Sequence, residues 1–118
     1  MNSITSHTNL EYLRLMADGD RDMEQTMLEM LITELQEEFE KMKAHLEKKE
    51  WGELGKVSHK MKSTLAFIGN EEMTNANREI EQSAKHLKNL ERVSELMDIF
   101  GEHLPAVMSE LRQTLIEY

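Results

Sequence analysis

The chain has 118 residues, a net charge of −9 and no cysteine, so it has room for one domain with one core. The lack of cysteine excludes disulfides, a thiol nucleophile and a thiolate metal site, and suits a reducing cytoplasm. The acidic balance argues against nucleic-acid binding, and no apolar run is long enough to cross a membrane. The N-terminus also lacks the pattern of a secretory signal, so we expect a cytoplasmic protein.

The N-terminal end predicts a short helix. Residues 1–7 are polar and aperiodic, so we expect a flexible N-terminus and a domain that spans 8–118. Thr8 and Glu11 have the spacing of a capping box, which predicts a helix start. This helix would bury three apolar residues, Leu10, Leu13 and Met16.

Four long helices follow. Apolar residues at helical spacing predict helices over about 20–48, 51–68, 71–88 and 91–117. Pro105 interrupts the last of these and predicts a bend. Short connections between long helices give an all-α fold, an antiparallel up-down-up-down four-helix bundle with a short additional N-terminal helix. The helix over 71–88 would bury Met73, Ala76, Ile80, Ala84 and Leu87.

Capping residues mark the helix boundaries. Asp18, Gly19 and Asp20 end the short helix and cap the long one. Gly69 supplies a left-handed helix stop, and Asn70 caps the helix that follows.

The helix over 51–68 has two unlike faces. One face is apolar, with Leu54, Met61, Leu65 and Ile68. The other is centred on His59, and its neighbours within about 60° are small residues and two lysines. These neighbours are Gly52, Gly55, Lys56, Lys62, Ser63 and Ala66. Because each glycine in a helix costs about 1 kcal/mol relative to alanine, the small residues indicate that another surface comes close.

Two readings of that face remain open. In the first, a partner approaches His59 from solvent; in the second, a helix of the same chain packs there and buries it. Lys56, Lys60 and Lys62, with no acid from Leu54 to Asn70, make the segment locally basic and favour the first reading. Lys62 lies one turn after His59 on the same face, where it could neutralise an anion on the ring.

The run His59-Lys60-Met61-Lys62-Ser63-Thr64-Leu65-Ala66-Phe67-Ile68-Gly69 resembles the signature of histidine-containing phosphotransfer (HPt) domains. In that family a histidine is followed three residues later by lysine, then by small residues and a glycine. Leu65 departs from the pattern, which often has a small residue there. The likeness extends over about residues 8–117, because the family is also a four-helix bundle preceded by a short helix.

The resemblance implies a phosphoryl carrier of a multistep two-component phosphorelay. His59 would accept a phosphoryl group from a receiver-domain aspartate and pass it to another receiver aspartate, with Nε2 as the reacting nitrogen. Lys62 would screen the phosphoryl charge. The face that docks the receiver would comprise Gly52, Gly55, Lys56, Lys60, Ser63 and Ala66.

The same resemblance implies partners and cofactors. Response-regulator receiver domains and an upstream (hybrid) histidine kinase would be the partners. The carrier would need no cofactor, because magnesium and the acidic cluster belong to the receiver. It would not be an enzyme with autonomous turnover. We expect a monomer, and Met1 and the complete helix caps favour a stand-alone protein.

Three other kinds of protein or site share features with this sequence. A sensor-kinase dimerisation helix also carries a phosphoaccepting histidine, but an acid and then a proline typically follow it, whereas Lys60 follows His59 and no proline does. A helical adaptor would dock a partner helix on the small-residue face with His59 unmodified. A metal site is not expected, because no Glu-x-x-His pair repeats on two helices.

Overall fold

The computed structural model describes residues 6–118, which fold into a ring of four long helices with a short helix beside it. The helices are α1 (Glu11–Ala17), α2 (Arg21–Glu47), α3 (Trp51–Ile68), α4 (Glu71–His86) and α5 (Val93–Ile116), with a 3-10 turn at Leu90–Arg92. Each long helix packs on the next, α2 also packs on α5, and α1 lies against α2 and α3. Because short connections reverse the chain direction, this is the predicted antiparallel bundle.

Most predicted helix ends are confirmed. The Asp20 carboxylate accepts a hydrogen bond from the backbone N–H of Met23 at 3.0 Å and caps α2. Gly69 ends α3 in the left-handed conformation with φ 74°, and Asn70 caps α4 through its side-chain oxygen. The structure assigns α5 as continuous through Pro105.

The capping box predicted at the start of α1 is wrong. The helix begins at Glu11, and its N-cap residue Leu10 makes no side-chain cap bond. The Asn9 side chain accepts from the backbone N–H of Glu11 instead. Thr8 does not cap α1, because its hydroxyl and backbone N–H both donate to Glu110 on α5.

The core forms one cluster that all four long helices and α1 share, as the apolar spacing predicts. Two residues predicted inside are exposed, Met16 at 55% and Leu87 at 63%. The helix α4 ends at His86, so Leu87 adopts a left-handed conformation and leaves the buried stripe. In α1 it is Ala17, beside Met16, that turns inward.

An N-terminal strap, Ser6–Leu10, crosses the end of the bundle. Glu110 accepts hydrogen bonds from the backbone N–H of His7 at 2.7 Å, the N–H of Thr8 at 3.1 Å and the Thr8 hydroxyl at 3.0 Å. The part of the predicted flexible segment that the structure describes is thus bonded to α5. The rest of that prediction, residues 1–5, lies outside the described residues.

Candidate functional site

The helix α3 presents His59 to solvent. Its side chain is 70% exposed, while the neighbouring Ser58 and Met61 are fully buried and hold the helix against the core. Within residues 6–118, no other helix covers the imidazole. In the described chain, the exposed position agrees with the reading in which a partner approaches His59, and it disagrees with a buried structural histidine.

One carboxylate, Glu81 on α4, contacts both His59 and Lys62. Its Oε2 lies 2.7 Å from His59 Nδ1, and its Oε1 lies 3.7 Å from Lys62 Nζ. The Glu81 side chain is only 12% exposed, so its position is set by packing between α3 and α4. It therefore holds the ring and the ammonium group side by side.

The contact with Glu81 determines how the neutral His59 ring carries its proton. A carboxylate can only accept hydrogen bonds, so the ring donates from Nδ1. A neutral imidazole has one N–H, which leaves the lone pair on Nε2. The geometry thus leaves the Nε2 lone pair free on an exposed ring.

The locally basic face predicted around His59 is wrong, because α3 itself and the neighbouring helices α2 and α4 supply acids. Each lysine pairs with a carboxylate: Lys56 with Glu53 at 3.1 Å, Lys60 with Glu38 at 3.1 Å, and Lys62 with Glu81 at 3.7 Å. Glu38 on α2 is buried, and its hydrogen bond to Lys60 raises the pKa of that ammonium group. The face is therefore nearly balanced in charge.

The predicted docking residues do not form one patch. Gly52 and Lys56 line a groove of about 690 Å³ between α3 and α4, which His59 and Glu81 also line. Lys60 points to the opposite side of α3 and, with Ser63, lines an apolar groove between α2 and α3. Ala66 is exposed on α3.

Gly55, which we predicted to bring a partner close, is half-buried against α4. A Cβ added to it would lie 3.6 Å from the Ala84 Cβ and 4.0 Å from the Lys85 backbone nitrogen. A contact of that length is an ordinary van der Waals contact, so α4 leaves room for a Cβ at this position. Gly55 thus faces a neighbouring helix of the same chain, and it also lines the groove beside His59.

The part of the chain that the structure describes contains neither a metal-binding cluster nor a membrane-spanning helix. Residues 6–118 contain no group of three His, Asp or Glu side chains placed to hold a metal ion. None of the helices in this range combines the length and the apolar character that a membrane span requires.

A family model described as the Hpt domain matches residues 26–114, about three quarters of the chain. The chain belongs to the Hpt domain family. No curated protein and no solved structure gives a match. Hpt domains are phosphocarrier modules for histidine phosphotransfer in two-component signalling, and they interact with receiver domains and kinases. The resemblance carried by the His59 motif is thereby confirmed.

Sequence reasoning missed the contribution of α4 to the site of this Hpt domain. Glu81 and Asn77 lie on α4, whereas the predicted site residues all lie on α3. Both are buried, although polar, and flank the apolar stripe of α4 next to Ile80. Polar residues one turn apart along a buried stripe were the available signal.

Proposed function

We propose that this Hpt domain is a phosphoryl carrier of a multistep phosphorelay. His59 accepts a phosphoryl group from an aspartate of one receiver domain and passes it to an aspartate of another. The observation that carries the proposal is the hydrogen bond from His59 Nδ1 to Glu81, which leaves the lone pair on Nε2 of an exposed ring.

The transfer step uses the imidazole of His59 and the aspartyl phosphate of the receiver, with Glu81 and Lys62 stabilising the charges that form. The Nε2 lone pair attacks phosphorus, the bond from phosphorus to the aspartyl oxygen breaks, and the aspartate leaves as a carboxylate. The ring then carries positive charge, with its proton still on Nδ1. The negative Glu81 stabilises that charge, and Lys62 beside it screens the phosphoryl oxygens.

The receiver approaches along the exposed face of α3. Gly52, Ser63 and Ala66 add little bulk there, which allows the aspartyl phosphate to come within bonding distance of His59. Lys56 and Lys60 lie at the two sides of this face, where they orient an acidic receiver pocket. Gly55 adds no bulk to the groove beside His59, which it also lines.

The remaining parts of the proposal concern partners and cofactors. The phosphoryl group originates from an upstream (hybrid) histidine kinase through its receiver domain. Magnesium is required by the receiver aspartate and not by this chain, which acts as a monomeric cytoplasmic carrier without autonomous turnover. Phosphoryl transfer depends mainly on positioning and charge neutralisation, and both are available here without a bound group.

The decisive experiment is transfer from several receiver domains phosphorylated on aspartate. We expect a label on this chain that is acid-labile and base-stable, which distinguishes phosphohistidine from phosphoserine. The competing function is the helical adaptor, in which a partner binds and no phosphate is transferred. A receiver that binds the chain while neither donating nor accepting a phosphoryl group would favour the adaptor.

Lys62→Ala should slow phosphoryl acceptance about tenfold without abolishing it, because the nucleophile remains while one positive charge near the phosphoryl group is lost. The initial rate of labelling, measured at two salt concentrations, checks this. Lys43→Ala is the matched control, since Lys43 is also exposed and pairs with a glutamate, Glu40, three residues earlier. Equal rates for the two variants would remove Lys62 from the mechanism.

Glu81→Ala should also slow acceptance about tenfold, because the ring loses the group that orients it. Glu81→Gln should be affected less, since the amide oxygen can still accept from Nδ1. Labelling rates of the two variants provide the comparison. Glu79→Ala serves as a control because Glu79 is exposed on the same helix and pairs with Arg92. A wild-type rate in Glu81→Ala would contradict the orienting role.

A further inference from the structure

A buried polar clamp joins α3 and α4 directly beneath His59. The Ser58 hydroxyl lies 2.7 Å from Asn77 Oδ1 and 3.0 Å from the Asn77 carbonyl, and Asn77 Nδ2 donates to the Ser58 carbonyl at 3.0 Å. Ser58 is 0% exposed and Asn77 is 2% exposed. We call this pair the Ser58–Asn77 clamp. A well-packed apolar pair could replace it with little change in stability, so stability does not explain its presence.

Hydrogen bonds constrain a helix pair in a way that apolar contacts do not. Alanine, leucine and isoleucine side chains tolerate small shifts of one helix along another, whereas a hydrogen bond weakens beyond about 3.2 Å. Buried polar groups can therefore specify register in helix bundles. The clamp fixes the position of α4 along α3 at one point.

Glu81 lies between this point and a second close approach of the same helices. It follows Asn77 by four residues and precedes Ala84 by three, so all three share one face of α4. A Cβ added to Gly55 would lie 3.6 Å from the Ala84 Cβ, so α3 and α4 approach each other closely at these two residues. The clamp and the Gly55–Ala84 contact therefore bracket the Glu81 backbone.

The hydrogen bond between Glu81 and His59 is sensitive to a displacement of α4 along α3. A shift of one residue along a helix is about 1.5 Å, which would lengthen or bend the 2.7 Å bond from His59 Nδ1 and so weaken it. The exposed ring could turn to follow the carboxylate, but Nε2 would then point in another direction. The register of α4 thus determines both the tautomer of His59 and the direction of its lone pair.

We infer that Asn77 is a positioning residue: through its hydrogen bonds to Ser58 it sets the register of α4 so that Glu81 holds His59 with Nε2 free to react. This inference rests on the proposed phosphoryl transfer for its consequence, but the hydrogen bond itself is present without phosphate. Asn77 touches neither the phosphoryl group nor the ring.

The test replaces the clamp by an apolar pair of similar shape, Ser58→Ala with Asn77→Leu, so that neither polar side chain of the clamp is left unpaired. The first readout is the pair of ¹⁵N chemical shifts of the neutral His59 ring, which report the tautomer. We expect mainly the Nδ1–H form in the wild type and a mixture of both forms in the double variant. The second readout is phosphoryl acceptance, which should slow about tenfold because the nucleophile is misplaced.

Asn75→Leu is the matched control, because Asn75 is exposed on α4 and its side chain accepts a hydrogen bond from Arg78 on the same helix. It should leave the tautomer unchanged. A folded double variant with the wild-type tautomer would overturn the inference, and so would one that no longer folds, since the clamp would then serve stability. Absence of phosphoryl acceptance in the wild type would instead contradict the proposed function and leave the tautomer result standing.

Discussion

Replacing His59 by glutamine should abolish phosphoryl acceptance and leave the bundle folded. Glutamine has no nitrogen lone pair of comparable nucleophilicity, so no phosphoramidate can form. The His59 side chain is 70% exposed, and a glutamine amide can still donate to Glu81. We therefore expect the free energy of unfolding to change by no more than about 0.5 kcal/mol.

The measurement pairs labelling from a phosphorylated receiver with thermal unfolding of the same samples. His86→Gln is the control, because His86 is exposed near the end of α4 and should leave labelling intact. Residual label on the His59 variant would place the phosphoryl group elsewhere. A large fall in its melting temperature would mean that His59 is structural, against the exposure of its ring.

Replacing Gly69 by alanine should lower the free energy of unfolding by about 2–4 kcal/mol. Two causes add. Gly69 has φ 74°, where a side chain is strained. A Cβ there would also lie 2.5 Å from the backbone oxygen of Asn9, so the N-terminal strap would have to move. That strap is bonded to the end of α3, since Asn9 N–H donates to the Ile68 carbonyl at 2.9 Å.

Gly19→Ala separates the two causes. Gly19 has φ 82°, but a Cβ there would meet nothing within 4 Å. It should therefore lose only the conformational part, about 1 kcal/mol. Urea unfolding of both variants gives the difference that belongs to the strap. Equal losses would show that the Asn9 contact relaxes without cost.

The fold was predictable because helical periodicity and capping are local. The predicted bounds of the His59 helix, 51–68, are those of α3, and Asp20, Gly69 and Asn70 act at the helix ends where the sequence places them. The capping rule considers only residues close in sequence, and it failed at Thr8, which binds a residue that is distant in sequence. Thr8 has the right spacing for a cap, yet Glu110, about a hundred residues later, takes its hydrogen-bond donors.

The candidate site was predictable only in part. His59 and Lys62 follow from residue spacing along one helix, and their shared face follows from 3.6 residues per turn. Leu87 was misplaced because a helix end depends on the turn that follows it. The charge around His59 was also misjudged, since counting acids within one segment ignores Glu38 and Glu81 from the neighbouring helices.

The sequence by itself determined the all-α bundle, the exposed histidine helix and the motif that resembles the Hpt domain family. The match to the family model confirms that resemblance. Only the tertiary structure decided which carboxylate meets the ring, which nitrogen keeps the lone pair, and that Gly55 faces α4. The physical reason is that periodicity gives the faces of a single helix. The rotation and axial offset between two helices depend on side chains from both, here Ser58 with Asn77 and Gly55 with Ala84.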